Sequence, residues 1–183
     1  MNEDSRRADA DAQQGESIEV PTAGQVLKRG LWAVVVTVAA FPLLAWWFMN
    51  DDPGTLDFLL LFLGGSLLCA GLQYITRPPR PRLGKGVNQA PLKEALTLAF
   101  ENGSLPEDPL RRSRAGALAC QKIEGTLYSV AVILGLILAA LVRSTDTWIV
   151  VVATLVLLAA TNFTWTRRSW RYLKTLHAGG RTT

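Results

Sequence analysis

Four stretches of this 183-residue chain contain no Asp, Glu, Lys, Arg or His: residues 31–49, 58–76, 126–142 and 147–166. A water-soluble domain spreads its charges along amphipathic elements and does not exclude them from four windows. An α-helix rises about 1.5 Å per residue, so each run covers roughly the 30 Å of a hydrocarbon core. The shortest, 126–142, gains reach from Tyr128 and from Arg143, whose head can snorkel to the headgroups. Membrane β-strands alternate over about ten residues, and Phe58-Leu-Leu-Leu-Phe-Leu63 does not. The runs predict membrane-spanning helices.

The distribution of Lys and Arg orients them. Eighteen of the 19 basic residues fall before the first run, between the second and third, or after the fourth; only Arg143 lies in an alternate connection. The positive-inside rule makes the populated side cytoplasmic. Both termini are then inside, and the short connections around 50–54 and 144–146 face outward from an inner (plasma) membrane. The expected architecture is an all-α membrane protein of two transmembrane hairpins, four helices in all. Residues 1–27 form a disordered polar tail, 28–76 the first hairpin, 77–125 a helical cytoplasmic insert, 126–166 the second hairpin and 167–183 a basic tail. The acidic start, with Glu3, Asp4, Asp9, Asp11, Glu16 and Glu19, does not fit a secretory signal, so no cleavage is expected.

A net charge of +4 and a pI near 9.4 thus need no nucleic-acid partner; basic residues beside spans set topology and attract acidic lipid. Trp32, Trp46, Trp47, Trp148 and Trp165 lie near run ends, where indoles anchor at the interface. Cys69 and Cys120 lack redox spacing, and His177 has no metal-ligand partner in the sequence. No HExxH, GxSxG or phosphate-loop pattern occurs, no run carries a mid-membrane charge for ion coupling, and Asp51, Asp52, Asp57 and Asp146 sit where helix caps belong. No catalysis and no cofactor are expected.

Helices in lipid associate through small residues and close packing. Ala131, Gly135 and Ala139 form one such stripe, and Gly64, Gly65, Cys69 and Gly71 another. Leu136 is expected on a different face from Gly135, and Pro42 is expected to kink the first span. The insert opens with Arg77-Pro-Pro-Arg80-Pro-Arg82, a stiff exit from the membrane. Leu92, Ala95, Leu96, Ala99 and Phe100 then follow helical spacing to a stop at Asn102–Gly103. A second helix starts at a box of Ser104–Glu107 or at Asp108–Pro109 and can run on into the third span. This helix–turn–helix order, with Arg111, Arg112 and Arg114, resembles a DNA reader only superficially; the insert is too short for one.

Residues 95–112, with their Asn-Gly-Ser-Leu-Pro-Glu-Asp-Pro core, resemble a segment of small multi-pass membrane proteins of high-GC actinobacteria. That resemblance implies an inner-membrane protein and transfers no functional residue. Arg77, Arg80, Arg82, Arg167, Arg168, Arg171 and Lys174 are the expected lipid-headgroup contacts. The fourth span should continue as an interfacial helix, its aromatics at the acyl boundary, until Gly179–Gly180. The sequence reads as a non-enzymatic interaction or accessory protein, with lipid, a protein partner or further copies of itself as associates. The alternative is an oligomeric transporter or pore for a neutral solute.

Overall fold

The computed structural model describes residues 20–48, 54–81, 83, 87–142, 147–179 and 181–182. Nearly all of these are helical. In chain order come α1 (Ala23–Phe48), α2 (Thr55–Thr76), α3 (Ala90–Glu101), β1 (Ser104–Leu105), α4 (Pro109–Val142), α5 (Thr147–His177) and β2 (Arg181–Thr182). Among the described residues, three helical stretches are long and apolar enough to cross a membrane: Ala23–Trp47, Leu56–Thr76 and Pro109–Val142. Residues 1–19, the short connections expected to face outward (49–53 and 143–146) and Arg82 lie outside the described residues. The chain divides into two compact units, one of residues up to Val26, Pro78–Ile123 and Trp165–Thr183, the other of Leu27–Arg77 and Glu124–Thr164.

The helix starts follow from local chemistry. Order begins earlier than residue 28, because Thr22 and Gln25 form a capping box at the head of α1. Gln25 N donates to Thr22 Oγ1 at 3.2 Å, and Thr22 N donates to Gln25 Oε1 at 3.0 Å. The helix continues through Pro42. At α2, Asp57 Oδ2 accepts from Gly54 N at 3.0 Å. Of the two starts open for α4, the structure selects Asp108–Pro109: Asp108 Oδ1 accepts from Leu110 N at 3.0 Å, with Pro at the first helical position. The same helix then runs 34 residues to Val142 without a break. Gly103 takes φ +68 after α3 and Gly179 φ +70 after α5, left-handed conformations that stop both helices.

The first unit buries the apolar face of α3 through Leu92, Ala95, Leu96 and Ala99. Residues 115–120 of α4 are buried in succession, so this turn and a half is enclosed on every side. Small side chains make that enclosure feasible: a Cβ on Gly116 would come within 2.8 Å of Val20 Cγ1. From α5 the unit takes Ser169, Tyr172 and Leu173, all fully buried. The expectation that the tail's aromatics lie in the acyl boundary is therefore corrected at Tyr172, whose ring is in the protein core and whose Oη donates to Arg112 O at 2.9 Å. The ring nitrogens of His177 lie 2.8 Å from Leu173 O and 3.0 Å from Val20 O. Ser104 and Leu105 pair in parallel with Arg181 and Thr182.

The second unit is built around Phe41. Its core comprises Phe41, Ala45, Leu61, Cys69, Ala131, Val132, Leu136 and Ala139, from α1, α2 and α4. The outer faces of these helices carry large apolar side chains in the open, such as Leu67 at 72%, Ile75 at 79% and Leu141 at 77% exposure. Apolar exposure on this scale is what lipid-facing helices carry and what soluble monomers avoid.

Candidate functional site

The small-residue stripes form a single contact. A Cβ on Gly65 would lie 2.3 to 2.7 Å from Phe41 ring atoms, and one on Gly135 would lie 2.6 to 3.0 Å from Phe41 Cδ2, Cγ and Cβ. The phenyl ring of α1 thus occupies the two notches left by glycines of α2 and α4. Cys69, Ala131 and Ala139 are buried in the same core. Gly64 and Gly71 are not part of it: both are exposed, and a Cβ on either would meet nothing within 4 Å. Neighbouring residues on a helix point about 100° apart, and here that turn carries Gly64 off the contact that Gly65 makes. Leu136 also departs from expectation. It is 1% exposed and belongs to this core, because it adjoins the stripe on the buried side of α4.

Five arginines of the first unit, Arg111, Arg112, Arg167, Arg168 and Arg171, divide into two kinds. Arg112 and Arg111 are structural ties. Arg112 Nε and Nη2 donate to Pro106 O at 3.0 and 2.9 Å, and Arg111 Nη2 donates to Pro91 O at 3.0 Å and meets Glu94 Oε2 at 3.4 Å. Burial pushes the nearby Tyr172 phenol above its ordinary value, and the positive charges of Arg112 and Arg111 offset this only in part.

The second kind lines the seam between α3 and α5. Arg168 stands 5.0 Å and Lys93 Nζ 5.8 Å from the centroid of Trp165. Arg171 and Arg167 stand 5.1 and 5.9 Å from that of Phe100. Arg168 Nη1 donates to Thr97 Oγ1 at 3.2 Å, and Thr97 Oγ1 donates to Lys93 O at 3.1 Å. Each ring contact contributes about 0.5–1 kcal/mol where water has access, enough to orient a cation but not to neutralise it. Of the expected headgroup residues, Arg167, Arg168 and Arg171 meet here, and Lys174 is exposed on the last turn of α5. Arg77 belongs to the other unit and pairs with Glu124 at 3.4 Å, where Gln73 Nε2 also donates to Glu124 O at 3.2 Å.

Lys93, Thr97 and Phe100 were absent from the expected set. Their spacing of four and three residues placed them along one side of α3, yet only the fold reveals that this side meets α5. No protein-family model matches the chain, and no curated protein and no solved structure is significantly similar to it.

Proposed function

We propose that the chain is a multi-pass inner-membrane interaction protein without a catalytic step of its own. Its four membrane helices carry one cytoplasmic domain assembled from the N-terminal segment, the insert and the C-terminal tail. One observation carries this reading: three segments separated by apolar helices belong to one compact unit. Val20 packs on Gly116, Tyr172 bonds Arg112 and His177 reaches Val20. Segments in mutual contact share one side of a bilayer. Between the N-terminal segment and the insert the chain passes through α1 and α2, an even number of crossings. Between the insert and the tail lie the apolar halves of α4 and α5. If α4 crosses, α5 must cross back, which supports a fourth span at residues 147–164. The excess of Lys and Arg on these same segments supports the cytoplasm as their side.

The membrane part supplies anchorage and the assembled domain supplies the contact surface for a cytoplasmic partner. Residue-specific crosslinking in native membranes tests this, with photoreactive groups at exposed positions of the domain such as Leu98 and Leu110 and at Leu67 in α2 as the comparison. The reading expects a defined protein adduct from the domain positions. Adducts confined to Leu67, or to lipid at all three positions, would overturn it.

A further inference from the structure

We propose that the seam between α3 and α5 binds the phosphodiester headgroup of acidic membrane lipid, through Lys93, Arg168, Arg167 and Arg171. The proposal rests on the membrane reading above and assigns one of its surfaces a ligand class.

Four positive charges are gathered on two rings at 5.0 to 5.9 Å. Among the described residues none of the four has a carboxylate at ion-pair distance, whereas Arg77 meets Glu124 and Arg111 meets Glu94. Glu94, the carboxylate on α3 next to Lys93, is thereby committed to Arg111. Among the described residues the seam is an organised set of cations with no carboxylate paired to it.

The hydrogen bonding matches an anion of phosphate geometry. Thr97 spends its hydroxyl proton on Lys93 O and accepts one N–H of Arg168. That ties one N–H of the guanidinium to α3. A guanidinium and an ammonium gathered on one ring suit the oxygens of a phosphate, and charge-assisted bonds of this kind are the strong ones. The Arg167–Arg171 pair on Phe100 offers a second such position, about two helical turns along α3 from Lys93.

Position selects lipid over a soluble anion. Trp165 is the penultimate residue of the uncharged run 147–166, and Arg167 and Arg168 follow it at once. Indoles at span ends settle at the headgroup level, so the cations held on this ring stand where lipid phosphates are concentrated.

The test uses the full-length protein in neutral detergent, with bound lipids counted by native mass spectrometry during titration with phosphatidylglycerol or phosphatidylcholine. Wild type should prefer phosphatidylglycerol by about ten-fold or more, in line with roughly 1 kcal/mol per basic residue near an acidic surface. The double variant Lys93→Gln/Arg168→Gln should lose most of that preference. Arg167→Gln/Arg171→Gln, at two exposed residues with little part in folding, should lower it independently. Arg6→Gln/Arg7→Gln removes the same charge elsewhere and should leave it intact. An unchanged preference in both seam variants, or an equal loss in the Arg6/Arg7 control, overturns the site. Displacement of the lipid by inorganic phosphate in excess would reassign the seam to a soluble anion and overturn the lipid proposal. A chain absent from the membrane fraction would sink the functional reading as well, whereas a membrane-bound chain without lipid preference sinks this inference alone.

Discussion

Phe41 is the residue on which the membrane core turns, because two glycines on different helices make room for it. Gly135→Ala should lower thermal stability in detergent, since even a methyl would lie 2.6 Å from the ring. Gly135→Leu should lower it further, while Gly64→Ala should leave the melting temperature within error. Shrinking the ring by Phe41→Leu should recover part of the Gly135→Ala loss, and the double-mutant cycle would read this as a coupling of about 0.5–3 kcal/mol. Strictly additive effects would show that ring and glycine do not touch. Leu136→Ala opens a cavity in the same core and should cost about 2–5 kcal/mol on the scale of buried leucines.

Tyr172 gives the fold a pH dependence. Its phenol is raised in the folded protein by burial, with Arg112 and Arg111 opposing, whereas an unfolded tyrosine titrates near 10. The unfolded state therefore loses its proton first. The stabilisation is complete below pH ~10 and is lost as pH rises from there toward the folded value. Thermal melts above pH ~10 should fall more steeply for wild type than for Tyr172→Phe, which has no proton to lose. Parallel curves would mean that this ring is not buried in solution.

Among the elements, α1 starts where a short polar motif allows it to start. Removing Thr22 Oγ1 or Gln25 Oε1 leaves a first-turn N–H without its partner, and Thr22→Ala should cost about 1 kcal/mol. Protease sensitivity of the segment around Val20 in the intact protein would report the loosening. Thr22-Ala-Gly-Gln25 is legible as a box, but it is masked in the sequence by the charged residues on both sides of it. Other boundaries are plain to read, because Asp108–Pro109 and Asn102–Gly103 act through contacts within four residues. The helical character of the uncharged runs is equally local. What the sequence hides is which faces meet. Gly65 and Gly64 have the same chemistry, and only the rotation of α2 against Phe41 separates them. Lys93 and Phe100, seven residues apart, share one side of α3, but nothing in their chemistry says that this side meets Trp165 and Arg167 of α5. Tyr172 reads as an interfacial anchor until the insert is seen to bury it.

For the whole molecule, the decisive point is that residues about 96 and 157 positions apart from Val20 stand against it, on Gly116 and at His177. Such pairings belong to one side of a membrane, so they turn a topology question into a distance question. A Cβ at Gly116 would lie 3.4 Å from Val20 Cβ, close to the roughly 3.5–4.5 Å between the Cβ atoms of a disulfide. The crowding there comes from the two γ-methyls of Val20 at 2.8 and 3.0 Å, and Val20→Cys removes both. Cys120 must be replaced by Ala, because its Sγ approaches Pro21 O at 4.0 Å and could compete for the new thiol. In that background, Val20→Cys/Gly116→Cys should form a disulfide when intact membranes are treated with a mild oxidant. The crosslinked chain should run with altered mobility under non-reducing conditions and return to normal on reduction. Neither single variant should do so. Reporter fusions at Gly86 and Gly180 should read as cytoplasmic in the same membranes, and fusions at Asp52 and Ser144 as external. If both thiols stay free while the protein remains folded and membrane-bound, the N-terminal segment does not pack on α4, and the even-crossing argument for a fourth span loses its first pairing.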